Sequence, residues 1–352
     1  MSALALLLLA SAPALPCGGF FHAPGDMAEQ RTFQAIFEPG DGQVRVDYRV
    51  IYQGAAQDFG WVLPIPGAFL SLGDGEVEDF EALAAATDPE LDLKEARDSG
   101  CMGGGSKDGG GLGDSGTGGT VEVVAQGFTG TYQYTVLEAS GSQALLDWLS
   151  THGWDVDASA EGIEAYVNEG GWQFVALALQ AGHDEATDED AFKLPPITLE
   201  YQGDRLAWPA RLARYGMEGV VHTVLYVRGD QRARISGGWS EVAVPSLWDQ
   251  GEDPDYMVNE AWPERLYEIG ADQGFATVFA GPYEEGWVTR FEHRAPAEAF
   301  TADVDFAVDA GTEELHTVIS NRGGCNKPAG AALLLVLPAL GLLRRLGRPV
   351  PA

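Results

Sequence analysis

The chain has 352 residues with Lys and Arg numbering 21 against 53 Asp and Glu, a formal net charge of −32. Nucleic-acid binders neutralise phosphates with clustered Lys and Arg, so this excess of acid excludes that class and works against anionic lipid surfaces too. At 45% hydrophobic and 10% aromatic, the chain is not a disordered acidic tail either, because burying that much apolar surface offsets the entropy of ordering a core.

The N-terminal run Ala3-Leu4-Ala5-Leu6-Leu7-Leu8-Leu9-Ala10 is too short to span a bilayer and leads to Ala12-Pro13-Ala14, an A-x-A cleavage pattern. Residues 1–14 therefore read as a secretory signal peptide, and residues 15–97 as an N-terminal β-rich block. Within that block Val44, Val46, Tyr48, Val50 and Tyr52 alternate with polar residues, which predicts a strand with one core face and one wet face. The preceding Thr32 to Phe37 run and the Asp41-Gly42 step make a hairpin with it. Phe59 to Pro66 continues as an extended apolar segment whose prolines confine it to an edge or a strand end. Glu76 to Ala96, with Phe80, Leu83 and Ala84 at helical spacing, reads as an acidic amphipathic helix.

Residues 98–120 are almost entirely Gly, Ser and Asp, too costly in backbone entropy to order, and read as a flexible linker. Gly111, Gly113 and Gly116 form a formal G-x-G-x-x-G there, but a dinucleotide fingerprint needs a strand before it and a helix after it, and both neighbours are more glycine.

The second block, 121–322, opens with Tyr132, Tyr134 and Val136 in strand alternation. A helix follows, with Ser142 as N-cap, a stripe of Leu145, Leu146, Trp148 and Leu149, and a stop at His152-Gly153. A second short helix spans Ile163 to Val167, and strands are expected at 172–179, 197–201, 220–227, 239–244, 275–279, 287–291 and 302–308. The run at 220–227 is apolar on both faces and so is placed centrally. The sum is α+β, mostly antiparallel β with a few helices, with no fixed-period repeat.

At the C-terminal end, Gly323-Gly324-Cys325 precedes the apolar run 329–343, and Arg344, Arg345 and Arg348 follow it. Basic residues immediately beyond such a run place them on the cytoplasmic side and the body of the protein outside, so 323–352 reads as a sorting or membrane tail in contact with the membrane through 329–343. The arrangement resembles the C-terminal sorting tails of myxobacterial and related Gram-negative surface proteins, and its Gly-Gly step echoes the Gly-Gly type of tail. That resemblance implies sorting or processing machinery as a partner and Cys325 as the processing or lipid-attachment position.

Cys17 and Cys101 are the only other cysteines, and an oxidising compartment lets them join, closing a loop worth about 4 kcal/mol in the chain-entropy model. The six histidines are scattered; no H-E-x-x-H, C-x-x-C, G-x-S-x-G or phosphate-binding loop is present, so no catalytic, cofactor-binding or metal residue is assigned. The densest oxygen-ligand groups are His183-Asp184-Glu185 with Asp188-Glu189-Asp190, and Asp249, Glu252, Asp253 and Asp255; both lack the spacing and central Gly of an EF-hand.

Cys17-Gly18-Gly19-Phe20-Phe21, the Asp58 to Pro66 segment, a Cys before a Gly-rich stretch, and Tyr134 to Ala139 followed by a Leu-Trp-Leu helix together resemble a bacterial family of secreted proteins, domain of unknown function 2330. The likeness covers Cys17 to about Asp230 and carries no activity to transfer. The expectation is an exported, non-catalytic protein, tethered at the cell surface or outer envelope or lying in the periplasm. Two alternatives are a secreted hydrolase with a carboxylate pair and a calcium-dependent adhesion or carbohydrate-binding module.

Overall fold

The computed structural model describes residues 20–21, 29–53, 60–88, 90–92, 119–154, 156, 159–180, 192–216, 220–242 and 274–320. In chain order, β1 (Phe20–Phe21), β2 (Glu29–Pro39), β3 (Gln43–Gln53), β4 (Gly60–Ile65) and β5 (Ala68–Asp74) precede helix α1 (Val77–Thr87) and β6 (Glu90–Asp92). Then come β7 (Val121–Phe128), β8 (Tyr132–Ala139), α2 (Ser142–Thr151), α3 (Ala160–Glu169), β9 (Gln173–Leu179), β10 (Phe192–Lys193), β11 (Ile197–Gln202), β12 (Leu206–Trp208) and α4 (Ala210–Ala213). The order ends with β13 (Val220–Gly229), β14 (Ala233–Gly237), β15 (Glu241–Val242), β16 (Phe275–Tyr283), β17 (Gly286–Pro296), β18 (Val304–Val308), β19 (Leu315–His316) and β20 (Val318–Ser320).

Two sheets stack face to face between helices. A five-stranded sheet runs β1-β4-β9-β8-β7, and a larger sheet runs β15-β16-β17-β13-β2-β3-β11-β5, with β10 and β19 added to it. Strands from both sides of the Gly-rich segment interleave in each sheet. Every pairing among the described residues is antiparallel except β13 with β2, β15 with β16 and β20 with β6, so the protein is α+β and mostly antiparallel β, as its patterning predicts.

The alternating residues of β2 and β3 supply the centre of the core: Phe33, Ala35 and Phe37 face inward with Val44, Val46, Tyr48 and Val50. The five-stranded sheet answers with Trp61, Leu63, Ile65, Val136, Val175 and Leu177. Phe33 touches Tyr48, Trp61 and Trp208 at ring separations of 5.8, 6.4 and 4.9 Å, and the last comes from the small sheet β12-β18-β14 that closes one end. Behind the five-stranded sheet, α2, α3 and α4 pack Leu145, Leu149, Ile163, Tyr166 and Leu212 on Val62, Leu137 and Phe174. In front of the larger sheet, α1 seats Phe80 and Leu83 on Ile36, Val224, Tyr226 and Val288. The layers are therefore helices, five-stranded sheet, larger sheet, helix.

Several details depart from expectation, a strand at Ala68–Asp74 among them. Asp47 and Arg49, on the face of β3 expected to be wet, are only 3% and 7% exposed. Helix α1 ends at Thr87 instead of continuing to Ala96: Asp88 is extended (φ −60°, ψ 139°), the backbone that Pro89 imposes on the residue before it. The N-cap of α2 is Gly141, with Ser142 inside the first turn. Val121–Phe128 forms a full strand where no strand is expected. Among the described residues, β1 pairs only Trp61 and Gly60 of β4, and Pro64 pairs Phe174 of β9 on the other side.

Gly238 has φ +79°, and a Cβ there would lie 1.7 Å from the carbonyl oxygen of Asp303, whereas Gly42, at φ +74° in the β2–β3 turn, faces open space. Gly238→Ala is expected to lower stability well beyond the ~1–2 kcal/mol of left-handed strain that Gly42→Ala introduces, read as urea-unfolding midpoints; equal costs would mean the 238–303 contact is not tight.

Candidate functional site

Ionisable side chains gather in buried groups on both sides of the larger sheet. On the face beneath α1, the antiparallel register sets Val224 against Glu292 and Tyr226 against Arg290, so charges two residues apart on β17 point the same way as His222 and Tyr226 on β13. His222 Nε2 lies 3.1 Å from Glu292 Oε2, and Arg290 Nη2 lies 2.5 Å from Glu292 Oε1. Arg290 Nη1 then donates to Asp88 Oδ1 at 2.6 Å and to Thr87 Oγ1 at 3.2 Å, both at the C-terminal end of α1. The Arg290 and Glu292 side chains are only 2% and 1% exposed. Burial pushes the Glu292 carboxyl up, but the Arg290 charge and the His222 hydrogen bond outweigh it and hold it below the ordinary value. The Tyr226 hydroxyl is raised to about 12, chiefly by burial. Beside this chain, Asp47 accepts from Arg45 and Thr198, while Arg49 donates to Gln34 and sits over the Phe80 ring.

A second cluster ties α3 and α4 to the entry of β18. Asp303 accepts from the Tyr166 hydroxyl, from the Arg211 backbone N–H at 3.1 Å, and from Arg211 Nε and Nη2 at 2.9 and 2.6 Å. Glu169 bridges Arg211 and Arg205, and Arg205 reaches Asp305. The guanidinium of Arg211 lies 4.3 Å from the Tyr166 ring centre, and that of Arg205 lies 4.7 Å from Trp172. Partial burial pushes Glu169 up, but its bonds to the two arginines hold it below its usual range.

On the inner face of the sheet, His293 is fully buried in a box of Phe275, Trp239 and Phe300, with ring centres at 4.7, 4.9 and 5.2 Å. Among the described residues neither ring nitrogen has a hydrogen-bond partner. Burial, with a smaller contribution from His222, takes this imidazole from 6.5 down to about 4.

Among the described residues these charged groups are held as paired ionic contacts. A glycosidase-type acid needs a carboxyl raised by its surroundings. The described carboxyls with a shifted pKa, Glu169, Glu292 and Asp309, are all lowered by arginines. His222 and Glu292 have the geometry of a base and its orienting carboxylate, yet among the described residues no Ser, Thr or Cys hydrogen-bonds to His222. No three His, Cys, Asp or Glu among the described residues come together as a metal site. Cys17, Cys101, Cys325, the 183–190 and 249–255 acidic groups and the apolar run 329–343 all lie outside the described residues. No described helix is long and apolar enough to cross a membrane.

The buried ionic chain was not anticipated from the sequence, although Arg290-Phe291-Glu292 shows its signal: opposite charges at i and i+2 flanking an apolar residue put a pair on one face of a strand.

Layered β-sheets with helices outside, stapled by buried arginine–carboxylate seams, define a β-rich α+β body with no cofactor fingerprint among its described residues. Residues 11–307 match the family described as an uncharacterized protein conserved in bacteria, DUF2330, and the chain belongs to that family. No curated protein matches it. Among solved structures, a mutated baculovirus P35 after caspase cleavage is 10% identical, with 78% of this chain and 94% of that chain covered and a TM-score of 0.32. Baculovirus P35 is 12% identical, with 83% and 97% covered and a TM-score of 0.30.

Two outcomes are expected from these groups. Arg290→Met, which strips Glu292 of its main counter-charge, should cost about 3–5 kcal/mol in chemical unfolding, and Arg290→Met with Glu292→Leu should cost clearly less than the two single changes summed. His293 is neutral in the fold and protonates in the unfolded chain, so its contribution is complete above pH 6.5 and is lost as pH falls towards 4. The unfolding free energy should therefore drop between pH 6.5 and 4.5, by up to about 3 kcal/mol in all, and His293→Phe should flatten that drop. The carboxylates held low by arginines lose their contribution only below about pH 4.5, which keeps the two effects apart.

Proposed function

We propose that this chain is an exported, non-catalytic protein of the bacterial envelope that presents its folded body outside the membrane, tethered at the surface by its C-terminal tail. The observation that carries the reading is the combination of the two ends: a short Leu-rich run with Ala12-Pro13-Ala14 at one, and Gly323-Gly324-Cys325, an apolar run and three arginines at the other. The net charge of −32 keeps a crowded surface protein soluble. The lowered carboxyls of buried Glu292 and of exposed Glu169 favour a structural role for these acids over a carboxylate-pair hydrolase.

Intact mass of the protein from membrane and medium fractions of the cells that make it tests this reading. Loss of residues 1–14, a mass about 2 Da short for a Cys17–Cys101 disulfide, and a truncated or lipid-bearing C-terminus near Cys325 are expected. A full-length, fully reduced chain in the cytoplasm would overturn it and bring the hydrolase reading forward.

A further inference from the structure

β7 is the outermost strand of the five-stranded sheet, and among the described residues no strand pairs with its free side. Such an edge offers a row of backbone donors and acceptors to any extended chain. The strand reads Val-Glu-Val-Val-Ala-Gln-Gly-Phe, with Val123 45%, Val124 44% and Phe128 70% exposed, three of the four large apolar side chains most open to solvent among the described residues. A bulge between Val123 and Ala125 takes Val124 out of the ladder with β8. Glu122 stands directly opposite Glu138, and both are exposed. Like charges facing each other across a ladder are unfavourable, and no basic residue on β7 or β8 offsets them.

We propose that this edge accepts, as an added strand, an extended peptide of a partner protein in which basic residues alternate with apolar ones. Backbone pairing along β7 supplies the general affinity, the exposed Val123, Val124 and Phe128 cover the apolar positions, and a Lys or Arg beside Glu122 relieves its repulsion with Glu138. Charge selects this occupant over a second copy: two chains of −32 repel, and β7 has no Lys or Arg to offer another β7. This inference is independent of where the protein resides.

The test uses the full chain and a fluorescent alternating Lys–Val peptide, with anisotropy for affinity and hydrogen–deuterium exchange for location. Binding is expected, with new protection confined to 121–128. Glu122→Lys should weaken it about tenfold, while Glu313→Lys, the same charge change on an exposed loop outside this sheet, should leave it within about twofold. Val124→Lys reads the same edge should Glu122→Lys melt early. The proposal is overturned by absent binding, by equal binding of a Glu–Val peptide, by equal weakening in Glu122→Lys and Glu313→Lys, or by protection elsewhere. A dimer in sedimentation that Val124→Lys dissociates would also overturn it, assigning the edge to a second copy.

Discussion

A charge on a strand covered on both faces has no water to turn to, so it must be met by an opposite charge inside the protein. That constraint shapes the face of the larger sheet beneath α1. Arg290 and Glu292 neutralise each other along β17, His222 takes the second carboxylate oxygen, and Arg290 also donates to the end of the helix. Helix α1 buries few apolar side chains, Phe80 and Leu83 foremost, so its docking depends on this ionic seam as well as on hydrophobic contact. Asp88 has a double part: its extended backbone ends the helix, and its carboxylate receives the arginine.

The two faces of β17 solve burial in opposite ways. On one, Arg290 and Glu292 stay charged and paired; on the other, His293 stays uncharged among aromatic rings, with no partner for either nitrogen among the described residues. The first face is strengthened by charge and the second is threatened by it. A similar seam at Asp303, with Tyr166, Arg211 and Glu169, fastens the outer helices to the closing sheet, so each helical layer is attached to the β-core by at least one arginine.

Alternation made β3 legible in the sequence, and the Asp41-Gly42 step made its hairpin with β2 legible, because a period of two over a full strand has no helical reading. The central place of β13 followed from a run apolar on both faces. What covers the polar face of β3 was not legible, since nothing local in Arg45, Asp47 and Arg49 distinguishes a side chain facing water from one facing α1. Pro89 marked the end of α1, but the helical spacing of Phe80, Leu83 and Ala84 masked it. β7 escaped notice because its exposed valines follow a glycine-rich stretch and its bulge breaks the alternation. The ionic seam is a property of register between β13 and β17, which are separated by a long stretch of chain, and no window of sequence contains both.

The parallel pairing of β2 with β13 fixes the order in which the molecule can assemble. Thr32 lies beside His222, so the strand at the heart of the larger sheet has no neighbour on one side until most of the chain has been made. Contact order of this kind makes the search for the native pairing slow. Until then one border of β2 lacks its partner, whereas the far border of β3 is already closed by β11, which lies earlier in the chain.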